Sequence, residues 1–194
     1  MTRTGILLTT SAATIGIALT AFIDVPKKLV WNASASVPLG LYAITPVHHL
    51  KVGDRVAIDL PEPLAQFLAT RGYLPRGVPL LKTVAALSGQ RVCRIDNKII
   101  IDGVAIGEAR ERDRLGRELP IWQGCRRFLD GEVFLMNASV FDSFDGRYFG
   151  PISATAIIGK AHPIWTDERG DTRAVQSASI PQSPIQPQPK EPIP

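Results

Sequence analysis

Histidine is scarce, with three in 194 residues, and two of them, His48 and His49, are adjacent. Neighbours on an extended strand face opposite ways, and His162 lies far along the chain. No nucleophile-elbow motif accompanies them, so a Ser–His–Asp triad has no support. Cysteine is scarcer still: only Cys93 and Cys125 occur. They have neither CxxC nor Cys/His spacing, so zinc is not expected. No phosphate loop, dinucleotide fingerprint or metal-ligand cluster appears, and neither cofactor nor metal is expected. Excess charge is missing too. Charged residues make up 21% and the net charge is only +4. Arginines such as Arg110, Arg112 and Arg114 alternate with Glu and Asp. Without a basic stripe carrying aromatics, nucleic acid is not an expected partner.

What is present is enough apolar material, 45% of the chain, for one domain with terminal extensions. The first extension is a run without charge from Gly5 to Ile23, preceded by Arg3. About nineteen residues at 1.5 Å each can cross a bilayer core. The run reads as a membrane anchor (residues 5–23 within an extension of 1–23) or as a cleaved signal peptide. Lys27 and Lys28 follow it, and the positive-inside rule alone would keep them in the cytoplasm. The chemistry downstream instead favours export to the periplasm, with the membrane as a partner. In an oxidising compartment, Cys93 and Cys125 are expected to form a disulfide closing a loop of about thirty residues.

Residues 24–170 form the expected body and read as mostly β. Residues 54–60 alternate apolar and polar like a strand, and 79–87 suit a buried strand. Residues 98–106 form two β runs joined by Asp102-Gly103, a tight-hairpin signal. Residues 131–137 and 155–165 are further strands, 62–70 a short helix, and 107–120 a charged surface loop. Residues 171–194, rich in Pro, Gln and Ser, read as a disordered tail.

Three segments carry candidate chemistry. Around Ser34 and Ser36, Pro38 disfavours helix and Gly40 permits unusual backbone angles, so an irregular turn can present a hydroxyl. Serine becomes nucleophilic once a base takes its proton. Lys82 sits between Leu80 and Val84 on one face of a strand, where burial lowers an amine's pKa and makes it a usable base. The segment from Asp142 to Pro151 is polar and bracketed by aromatics. There Asp145 and Arg147 can pair, and either Ser143 or Asp145 can orient the Lys82 amine.

In this order the three segments resemble the bacterial type I signal peptidases, in particular their conjugal-transfer branch, whose peptidases mature pilin for plasmid transfer. SASVPLGLY resembles the nucleophile box, LLKTVAALSG the lysine box and DSFDGRYFGP the carboxy-terminal box. The likeness runs from about Trp31 to Ile164. It implies folded antiparallel sheets and a serine peptidase with a Ser–Lys dyad. It implies Ser36 as nucleophile, Lys82 as general base, Asp145 as the acidic residue and Ser34 as a hydroxyl assisting the oxyanion hole beside the Ser36 N–H. The implied substrate is an exported precursor protein, in that branch a propilin. Val37 alone separates Ser36 from Pro38, and Asn137-Ala138-Ser139 stands where housekeeping enzymes carry Gly-Asp-Asn. A general signal peptidase and a pilus-assembly binding protein are the alternative functions.

Overall fold

The computed structural model describes residues 2–20 and 28–167. Helix α1 spans Arg3–Thr20. Among the described residues no helix is long and apolar enough to cross a membrane. The apolar run continues to Ile23, and its last residues, like the tail of 171–194, lie outside the described residues.

The body is mostly antiparallel β, as expected. A seven-stranded sheet has the order β1-β2-β11-β3-β4-β9-β10. Its strands are β1 (Leu29–Asn32), β2 (Gly40–Thr45), β3 (Arg55–Ile58), β4 (Leu80–Ala86), β9 (Glu132–Leu135), β10 (Ile152–Ser153) and β11 (Ile157–Thr166). Between β4 and β9 the chain forms a second, four-stranded sheet ordered β7-β6-β5-β8. It contains β5 (Arg91–Ile95), β6 (Lys98–Ile101), β7 (Val104–Glu108) and β8 (Gly124–Arg127). Helix α2 covers Glu62–Thr70, and a single turn, α3, covers Gly146–Phe149.

Alternation of apolar residues gives β3 and β4 their inward faces. Val56, Ile58 and Val84 pack with Val133, Leu135 and Ile152 in one core. A second core joins the sheets, with Val92, Ile99 and Ile101 against Phe128, Phe134 and Met136. The turn from β6 to β7 has positive φ at Asp102 (48°) and Gly103 (87°), the twist that a two-residue hairpin requires. Cys93 and Cys125 are directly opposed across β5 and β8 and form the expected disulfide.

Some expectations need correction. Residues 40–45, to which no element is assigned from the sequence, form β2 between β1 and β11. Gly40 does have a positive φ of 143°, but close approach also demands it: a Cβ there would lie 2.1 Å from the Trp165 carbonyl oxygen. Residues 107–120 are not wholly irregular surface, because β7 continues through Glu108 and a bridge pairs Arg112 with Glu118.

Candidate active site

β4 is an interior strand of the large sheet. It pairs with β3, where Val56 faces Lys82, and with β9, where Val84 faces Leu135. Pairing with β3 at Lys82 and with β9 from Val84 onward holds the strand that carries Lys82. The Lys82 side chain is 1% exposed, and its Nζ donates to Ser143 Oγ at 2.8 Å. Burial disfavours the ammonium and is the main cause that lowers the pKa to about 8; the Asp145 charge opposes this and Arg147 reinforces it.

Of the two residues expected to orient the amine, Ser143 takes the hydrogen bond. Asp145 is held by Arg147 instead, at 2.9 Å to Nε and 2.9 Å to Nη2. The fork of the guanidinium matches both carboxylate oxygens. The Arg147 Nη2 also donates to the carbonyls of Val140 and Ser143. Asp145 caps α3 through the Arg147 N–H. The polar segment is therefore folded inward around one buried ion pair, and this fixes Ser143 against Lys82.

The serine loop joins β1 to β2. Asn32, at the end of β1, shapes it from within: its Nδ2 donates to the carbonyls of Ser34, Val37 and Pro38. Its Oδ1 accepts from the Ser34 N–H and from the Ser34 hydroxyl. The hydroxyls of Ser34 and Ser36 are 3.1 Å apart. Tyr42, fully buried in β2, anchors the turn by donating its hydroxyl to the Pro38 carbonyl.

Ser34, Ser36, Lys82 and Ser143 line one cleft of about 360 Å³, whose other walls include Leu68, Leu80, Leu119 and Phe144. No histidine lines it. Arg110 and Arg114 on its rim both pair with Asp142, and Arg117 pairs with Asp113. The segment read as a surface loop thus forms one wall of the cleft. Its alternating charges read as a solvated loop, but Arg110 and Arg114 are neutralised by Asp142 from another segment, and Arg117 by Asp113 within it.

One residue was missed. Asn137, just after β9, is 5% exposed and connects all three candidate segments. Its Nδ2 donates to the Ser36 carbonyl at 2.7 Å, its Oδ1 accepts from the Thr83 N–H at 3.0 Å, and its N–H donates to Asp145 at 3.1 Å. In the sequence its only signal was its departure from the Gly-Asp-Asn wording. Among the described residues no group of side chains could hold a metal.

The arrangement places a buried amine with a lowered pKa and a serine hydroxyl in the lining of one cleft, the amine hydrogen-bonded to Ser143 and the Ser36 hydroxyl next to that of Ser34. A family model described as signal peptidase, peptidase S26, matches residues 1–166, and the chain belongs to that family of serine peptidases. Its curated relatives narrow the picture. The conjugal transfer protein TraF of Agrobacterium tumefaciens (strain 15955) is 32% identical over 173 residues, covering 84% of this chain and 97% of that protein. A plasmid transfer protein TraF of Escherichia coli is 31% identical over 152 residues, covering 74% and 79%. Among solved structures, a signal peptidase I from Enterococcus faecalis V583 is 18% identical with a TM-score of 0.36, covering 59% of this chain and 97% of that one.

Proposed function

We propose that the chain is a periplasmic serine endopeptidase, anchored through residues 5–23, that matures an exported precursor for plasmid conjugal transfer, most simply a propilin. Ser36 is the nucleophile and Lys82 the general base. The observation that carries this reading is a lysine amine 1% exposed, with its pKa lowered to about 8, in the same cleft as Ser36. An amine of that kind is neutral in a useful fraction near neutral pH. The names of the curated relatives support the conjugal role.

Neutral Lys82 Nζ takes the proton of Ser36 Oγ as the oxygen attacks the scissile carbonyl. The developing oxyanion is held by the Ser36 N–H and by the Ser34 hydroxyl, which turns its proton from Asn32 Oδ1 to the oxyanion. Lys82 then returns the proton to the leaving amine, and an acyl-enzyme remains on Ser36. Water, deprotonated by Lys82, releases the product. If the precursor's own amino group attacks instead, the product is a ring. The substrate lies extended beside the cleft, with an apolar side chain among Leu68, Leu80 and Leu119.

The test is mass spectrometry of precursor produced with the wild-type protein, with Ser36→Ala and with Lys82→Ala. Wild type should yield a shortened product, and the mass should reveal the cleavage site and, by loss of one water, any ring. Both variants should leave precursor intact. Continued maturation by either would move the chemistry to other residues or leave this chain a binding role. Rescue of a strain depleted of its housekeeping enzyme would instead assign broad signal-peptide cleavage.

A further inference from the structure

We propose that Asn137 is a positioning residue that sets the spacing between Ser36 and Lys82; the inference rests on the Ser36–Lys82 reading above. The Asn137 amide has one accepting and one donating end, and each is used. The Oδ1 accepts from the Thr83 N–H at 3.0 Å, and the Nδ2 donates to the Ser36 carbonyl at 2.7 Å. Thr83 N–H belongs to the peptide that follows Lys82, so the two bonds grip the backbone right beside each reacting side chain. The partners lie 54 and 101 residues away in the chain. Asn32 shapes the serine loop internally, whereas Asn137 ties that loop to the strand that carries the base.

Only one orientation of the amide satisfies both partners, and few other side chains offer an acceptor and a donor at this reach. Aspartate keeps the acceptor for Thr83 and loses the donor. Alanine loses both. The bond from the Asn137 N–H to the Asp145 carboxylate is donated by the backbone and survives either change. The backbone of Asn137 therefore stays tied to the buried ion pair, and the variants release only the serine loop. A reacting pair is sensitive to such release, because a misplacement of about 1 Å can lower a rate about 10²-fold.

The experiment uses the full chain and, as probe, a peptide spanning the junction located by the mass measurements above. Asn137→Ala and Asn137→Asp are assayed for kcat and KM, and their thermal unfolding is followed. In both, kcat should fall by about ten- to a hundredfold while KM stays within about twofold, because the apolar walls at Leu68 and Leu119, away from the serine loop, are untouched. The loss should persist at temperatures well below the unfolding midpoint. A folded variant with wild-type kcat overturns the proposal, as does a kcat loss that vanishes on cooling or a loss seen in KM alone. If Asn137→Ala does not fold, Asn137→Asp, which keeps the strand bond, decides the matter. Activity in Ser36→Ala would overturn the dyad reading itself, whereas an inactive Ser36→Ala beside a fully active Asn137→Asp removes only the positioning role.

Discussion

Lys82 and Asp145 lie in the same buried network but bond to different partners: the amine donates to Ser143 at 2.8 Å, and the carboxylate is held by Arg147 at 2.9 Å. Asp145 therefore acts on Lys82 through its charge. That charge favours the ammonium and opposes the larger effect of burial, which brings the pKa down to about 8.

A pH profile follows. With Lys82 as the base, kcat/KM should rise as pH increases and level off above about 8. Asp145→Asn removes the one charge that raises the lysine pKa and leaves Arg147, which lowers it, so the acidic limb should move to lower pH. The variant should also be less stable by about 3–5 kcal/mol, because a buried guanidinium loses its partner. Peptide cleavage measured from pH 5 to 10 checks the limb, and a limb that moves upward would contradict this account.

Burying Lys82 should cost stability in a particular pH window. Its folded pKa of about 8 lies below the ordinary 10.5, so between these values the unfolded chain binds more protons and stability rises with pH. Below about 8 the penalty is fully present, on the order of 3 kcal/mol. Lys82→Met, inactive, should therefore be more stable than wild type at pH 7, and the advantage should shrink as pH approaches 10. Urea unfolding at the two pH values measures the difference, and a gap that does not change with pH would mean that the amine is not desolvated.

The Cys93–Cys125 bridge ties β5 to β8 in the four-stranded sheet. Cys125→Ser should lower stability by about 2–4 kcal/mol. Cleavage at 25 °C should be preserved, since the bridge bonds none of the residues that line the cleft. Thermal unfolding and kcat measured on the same preparation separate the two effects.

Local signals made parts of this architecture legible. Residues 62–70 read as a helix and are α2, because Leu64, Phe67 and Leu68 fall on one side and Gly72 follows close after the last turn. The Asp102-Gly103 hairpin and the buried strand carrying Lys82 were likewise carried by neighbours in sequence. β5 was not, because RVCRI has two arginines and lacks an alternating pattern. Arg94 is nevertheless fully buried, and it is accommodated by backbone carbonyls, including that of Arg147 at 2.6 Å. Asn137 was illegible for a related reason: its partners lie far along the chain, and a lone Asn after a strand looks like any turn. Ser143 was one of two options for holding Lys82; the Asp145–Arg147 pair was itself expected, but which group reaches the amine depends on how the segment folds inward.

The last prediction concerns how the two proposed reacting groups combine. If Ser36 supplies the attacking oxygen and Lys82 removes its proton, each has no catalytic use without the other. Ser36→Ala leaves a base with nothing to deprotonate, and Lys82→Met leaves a hydroxyl with no base. The double variant should therefore cleave the junction peptide no more slowly than the worse single variant, within about threefold, because groups that act as a unit are not additive. Independent roles would multiply the losses. Peptide binding, followed by fluorescence anisotropy, should be retained in all three proteins, because the apolar walls at Leu68, Leu80 and Leu119 are unchanged. Multiplicative losses with intact binding would separate Lys82 from the proton of Ser36 and assign the base to another side chain of the cleft.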